Sequence, residues 1–156
     1  MAHLDARNRV TLEEARNLQT SLETHDFEGF TQEFRAYLAS IPYQWHTTGS
    51  LARYEAWYAG LLHMCFRAIG IDVRSEEASS HGRADMVVRT GGQVFVLEFK
   101  MAETEDDAAA KLEEAFAQMR ERGYGDRYRG QPVHLVAVVC GREARNLLEI
   151  RVQPGG

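Results

Sequence analysis

Hydrophobic and polar positions alternate most clearly between Ala84 and Lys100, where two runs rich in Val, Phe and Met flank Gly91-Gly92. A period of two marks a strand, and a Gly-Gly pair lets both turn positions adopt φ > 0, so the segment predicts a two-residue β-hairpin. With 91 and 92 as the turn, Thr90 faces Gln93 and Asp85 lies directly across from Glu98. Val87, Arg89, Val94, Val96 and Lys100 share the face of that pair. The opposite face carries Ala84, Met86, Val88, Phe95, Leu97 and Phe99, which is almost wholly apolar and must be buried.

The rest of the chain follows helical and strand periods in turn. Thr11-Leu-Glu-Glu14 has the form of a capping box, with Leu12, Ala15, Leu18 and Leu22 following at helical spacing. A second helix is expected over Asp26 to Ser40, with Phe27, Phe30, Phe34, Tyr37 and Leu38 on one face, stopping before Pro42. After a loop over 42–49, a third helix should run from about Ser50 to Ile69, with Gly70 as its cap. Ile71 to about Glu77 reads as a strand and Asp106 to Arg122 as a helix with Ala108, Leu112, Ala115, Phe116 and Met119 inward. Val133 to Cys140 is an almost unbroken apolar run, as expected of a strand covered on both faces. Leu148, Ile150 and Val152 alternate with charged residues and suit an edge strand. The core order is α-β-β-β-α-β. Residues 1–45 would form accessory helices packed on a core unit of 46–156, as a single compact body.

Two carboxylates opposed on a sheet have Cβ atoms about 5 Å apart and repel each other. A divalent cation would neutralise both, and oxygen ligands suit Mg²⁺ or Mn²⁺. Lys100, two residues along the same face, would hold an attacking water or stabilise negative charge developing on a phosphate. A solvated cluster at a strand end, with Lys100 and Arg83 as ordinary ion-pair partners, accounts for the same residues. Glu55 adds a further acid, since it falls within the apolar stripe of the third helix with Leu51, Tyr54, Tyr58, Leu62, Cys65 and Ile69. It would either supply another oxygen near the metal or pack its stem and extend its head to water.

The net charge of −5 weighs against a non-specific nucleic-acid coat, though not against an enzyme that meets phosphates at one site. Glu103-Thr-Glu-Asp-Asp107 supplies much of the acidic excess and reads as the first turn of a helix. Arg120, Arg122, Arg127 and Arg129 alternate with Tyr124 and Tyr128, which suits either a backbone-contacting edge or a solvated helix end. Cys65 and Cys140 sit inside apolar runs as small core residues, and the six His show no paired ligand spacing. Together with the lack of a signal-peptide pattern, the cysteines lead to the expectation of a cytoplasmic protein.

The element order, Gly82-Arg83-Ala84-Asp85 and Glu98-Phe99-Lys100 together resemble the PD-(D/E)xK nuclease superfamily. The likeness is narrower still to the nuclease-like domain found behind AAA-type ATPase domains in bacterial and archaeal proteins. It runs over about residues 40–152, through Tyr43, Glu55-Ala56-Trp57-Tyr58, Ser75-Glu76-Glu77, Ala115-Phe116-Ala117-Gln118 and Tyr124. Alanine stands before Asp85 where the motif often has proline, and the ATPase domain is not part of the chain. The resemblance implies a restriction-endonuclease-like α/β (α+β) fold with a mixed central sheet. It implies Asp85 and Glu98 as ligands of Mg²⁺ (or Mn²⁺), Lys100 as catalytic lysine, Glu55 as a helical acid reaching the metal directly or through water, and Gln118 as a helix-borne glutamine beside the site. Arg83, Arg120 and Tyr124 are candidate contacts to nucleic acid, with DNA the expected substrate. An AAA-type ATPase is an expected partner, and a homodimer is allowed. A catalytically inactive module of the same fold, binding nucleic acid or an ATPase, is the alternative.

Overall fold

The computed structural model describes residues 2–41, 51–75, 84–128 and 130–155; for 2–11, 51–53, 84, 85, 125 and 126 the description is of the backbone alone. Three helices come first: α1 (Ala2–Glu23), α2 (Phe27–Ala39) and α3 (Leu51–Ala68). The strands are β1 (Asp72–Ser75), β2 (Ala84–Thr90), β3 (Gln93–Ala102), β4 (Val133–Gly141) and β5 (Asn146–Pro154), with α4 (Ala108–Glu121) and the one-turn α5 (Tyr124–Arg127) between β3 and β4. The strands form one sheet in sequential order, antiparallel throughout except for the parallel β3–β4 pair. This is the mixed α/β sheet expected, and no described helix is long and apolar enough to cross a membrane.

Local chemistry accounts for the element ends. Asp26 caps α2 by accepting a 2.9 Å hydrogen bond from the Gly29 amide. After α3, Gly70 at φ +80° donates to the Arg67 carbonyl and Ile71 donates to that of Phe66, a complete Schellman ending. Gly91 and Gly92 take φ +59° and +73°, so the hairpin closes with the predicted register, Thr90 opposite Gln93 and Asp85 opposite Glu98. A Cβ on residue 92 would meet open space, whereas one on residue 91 would stand 3.0 Å from Cγ of Glu23. Gly92→Ala should therefore cost about 1 kcal/mol, the penalty of a left-handed backbone alone. Urea unfolding should show a larger loss for Gly91→Ala, and equal losses would argue against that contact.

Some boundaries differ from the pattern. The α1 helix starts at Ala2 and runs straight through Thr11, because no Gly or Pro interrupts residues 2–23 and a capping-box pattern alone does not start a helix. A 3₁₀ turn, Glu105–Asp107, precedes α4, so the acidic run leads into that helix instead of forming its first turn. The β5 strand begins at Asn146, before the alternation becomes visible, and a register irregularity at Val139/Cys140 sits in its pairing with β4. The expected loop over 42–49 and the end of the first strand at Glu77 lie outside the described residues.

The sheet is buried on both sides. Phe95, Leu97, Phe99 and Met101 of β3 face α1, α2 and α3, packing with Leu18, Leu22, Phe30, Phe34, Leu38, Tyr58 and Leu62. Val94, Val96 and Ala102 face α4, meeting Leu112, Ala115, Phe116 and Met119. Glu98 and Lys100 alternate with the first set and so point to the α4 side. Covering both faces of β3 is what removes these two charged side chains from solvent.

Candidate active site

Glu98 is fully buried and Lys100 nearly so. The strand period places them on one face, and α4 closes over it with a polar flank next to its apolar one. Lys111, Glu114, Gln118 and Arg122 recur at three- and four-residue spacing, the last as C-cap of the helix. The Lys100 ammonium lies 3.9 Å from Oε1 of Glu98 and 3.7 Å from Oε1 of Glu114. Arg122 Nη1 donates to Oε2 of Glu98 at 3.2 Å, and Lys111 Nζ donates to Oε2 of Glu114 at 3.2 Å. Burial alone would raise the Glu114 carboxyl, but the Lys111 hydrogen bond and the Lys100 charge outweigh it and hold the group below its ordinary value.

Glu55 approaches from the other side of the sheet. Among the described residues the β2–β3 pairing runs from Ala84↔Phe99 to Thr90↔Gln93, and β3 continues to Ala102. Near this end of β3 the Met101 amide donates to Oε1 of Glu55 at 3.2 Å. The acid on the apolar stripe therefore has a structural duty, accepting a hydrogen bond from a backbone N–H of β3. Burial raises its carboxyl above the ordinary value, against the lowering effect of Lys100 and the Met101 hydrogen bond. A carboxyl that binds its proton more tightly when folded favours the fold at low pH, and that contribution is lost as pH rises through the shifted value.

The backbone register puts Asp85 opposite Glu98, as the hairpin arithmetic requires, with the Asp85 side chain outside the description. Among the described residues no three His, Cys, Asp or Glu side chains are grouped to hold a metal. Among the described residues, two buried side-chain oxygens nevertheless accept no hydrogen bond: Oε1 of Glu98, which the Lys100 ammonium faces at 3.9 Å, and Oε1 of Gln118. Unpaired buried acceptors are costly, and hard carboxylate and amide oxygens are the donors that a Mg²⁺-type ion takes. The residues present fit such an ion.

Arg83 lies outside the described residues. Arg120 is exposed but engaged, donating to Oε1 of Gln153 with its guanidinium 6.0 Å from the Phe116 ring centre. Tyr124 is buried in the core beneath α4, with Arg127 stacked 5.0 Å from its ring centre. Sequence reasoning did not single out Glu114 or assign Arg122 to Glu98. The available signal was their shared stripe with Gln118 on α4, one helical turn apart.

A family model described as PD-(D/E)XK nuclease superfamily matches residues 53–150, more than half of the chain. A protein of Azotobacter chroococcum mcd 1, described as "Uncharacterized protein in vnfD 5'region", is 39% identical over 137 residues. That alignment takes in 86% of this chain and spans 26% of the relative's length.

Proposed function

From the premise that this chain belongs to the PD-(D/E)XK nuclease superfamily, we propose that it is a metal-dependent nuclease hydrolysing phosphodiester bonds of DNA. Nucleases of this superfamily generally use divalent metals; here Asp85 and Glu98 would hold Mg²⁺ or Mn²⁺, with Glu55 and Gln118 as neighbouring oxygen donors. When bound, the ion supplies a lowered pKa for water and charge neutralisation at the scissile phosphate. The observation that carries the reading is the buried Lys100 ammonium, set beside Glu98 on the strand that pairs with Asp85. Lys100 would orient the attacking water, assist its deprotonation and stabilise the charge developing on the phosphate. Its pairing with Glu114 keeps the ammonium in place before substrate arrives.

The acidic net charge favours a site that meets phosphates locally over a broad binding coat, and it also sustains the alternative of a non-catalytic binding module. On the sequence likeness to domains carried by AAA-type ATPases, we further propose that an ATPase partner presents the nucleic acid. Incubation of plasmid and single-stranded DNA with Mg²⁺ or Mn²⁺ should give cleavage by the wild type and none by Asp85→Ala. Equal cleavage by both would remove Asp85 from the site. DNA binding without cleavage by either would support the non-catalytic module.

A further inference from the structure

Among the described residues the charges around Glu98 balance without any bound ion. Among the described residues, the carboxylates of Glu55, Glu98 and Glu114 are matched by Lys100, Lys111 and Arg122. The backbone register sets Asp85 across the hairpin from Glu98, and on the proposed reading its carboxylate adds one negative charge. A divalent cation entering this set turns a single excess negative charge into a single excess positive one. Without Arg122, the same ion would bring the set to neutrality. The two oxygens of Glu98 are also unequal: Oε2 is held by Arg122 at 3.2 Å, whereas Oε1 is buried, faces the Lys100 ammonium at 3.9 Å and accepts no hydrogen bond among the described residues.

We propose that Arg122 is a resident counter-cation of the site, compensating Glu98 in the metal-free protein and setting the affinity for the divalent ion that displaces or outweighs it. By occupying Oε2 it leaves Oε1 as the oxygen offered to the ion. Arg122 stands at the C-cap of α4 (φ −82°, ψ −8°) and is followed by Gly123 at φ +64°, so its side chain is anchored where the helix ends. Loosening it does not require the apolar face of α4 to move. The inference rests on the reading of Asp85 and Glu98 as metal-binding residues.

Isothermal titration of the full chain with Mn²⁺ tests it. Arg122→Gln should bind the ion about tenfold more tightly than the wild type, as expected for removing one nearby cation from a partly buried site. Its metal-free form should melt earlier and recover more on adding Mn²⁺, because the ion then replaces the lost countercharge. Arg122→Lys, which keeps the charge, should bind Mn²⁺ about as the wild type does. A wild-type reading guards against a variant that fails to fold: the Arg122 side-chain Nε–H resonance should shift as Mg²⁺ is added. Unchanged or weaker Mn²⁺ affinity in Arg122→Gln, or an Arg122 resonance that ignores Mg²⁺ while the Glu98 amide responds, would overturn the counter-cation role and leave the metal site standing. Absence of any Mn²⁺ or Mg²⁺ effect in wild type and Arg122→Gln alike would remove both.

Discussion

Lys100→Met should abolish DNA cleavage at saturating Mg²⁺, with a loss of at least about a hundredfold in the single-turnover rate, the scale seen when one preorganised donor is taken from a developing oxyanion. Methionine keeps most of the apolar stem and removes the ammonium, so the substitution isolates the charge. The metal-free variant should lose about 2 kcal/mol in urea unfolding. That is less than the usual cost of removing one partner of a buried ion pair, because Arg122 remains on Oε2 of Glu98. Two readouts separate chemistry from folding. Mn²⁺ affinity should be retained or improved, since a cation near the site has gone, while the rate collapses. If instead the rate at saturating metal is unchanged, Lys100 is only a countercharge for Glu98 and Glu114. If affinity and rate fall together, its role is to build the metal site.

How far such a site can be read from sequence depends on which physical signal specifies each part. The hairpin was legible because period-two alternation and a Gly-Gly turn permit one register, and the observed pairing agrees at every position from Ala84↔Phe99 to Thr90↔Gln93. The inward faces of α2 and α4 were legible because an apolar stripe has only one place to go. The burial of Glu98 and Lys100 was less so. Two charged residues near a strand end look solvated until α4 is laid over them, and no local pattern places that helix on their face. The partnerships of Glu98 with Arg122 and Lys100 with Glu114 cross 24 and 14 residues respectively and depend on side-chain reach, which hydrophobic period does not encode. Glu55 was visible as an acid on an apolar stripe. That it accepts from the Met101 amide depends on how α3 packs against β3, a tertiary fact. The backbone frame of the site was therefore readable, and the charge balance within it was not.

Phe34→Ala should destabilise the whole protein by about 4 kcal/mol, the cost of deleting a buried aromatic ring and leaving part of its volume empty. Phe34 lies on α2, in a region before the residues matched by the family model, so a view of α1 and α2 as a detachable appendage would predict a small, local effect. The packing argues otherwise. Phe34 is completely buried, in the same cluster as Phe30, Leu18 and Leu22 of the first two helices and Phe95, Leu97 and Phe99 of β3. The α2 helix is also tied to the sheet edge, where Arg35 Nε donates to the Leu147 carbonyl at 3.0 Å and the Asn146 side-chain Nδ2 donates to the Arg35 carbonyl at 3.2 Å. Because β3 carries Glu98 and Lys100 on its opposite face, a cavity beneath that strand loosens the support of the site. Thermal unfolding should show one cooperative transition, with Tm lower by roughly 8–16 °C for a chain of this size. Cleavage should survive at temperatures where the variant remains folded. A loss below about 1 kcal/mol, or two separate transitions in the wild type, would show that the two leading helices fold apart from the sheet.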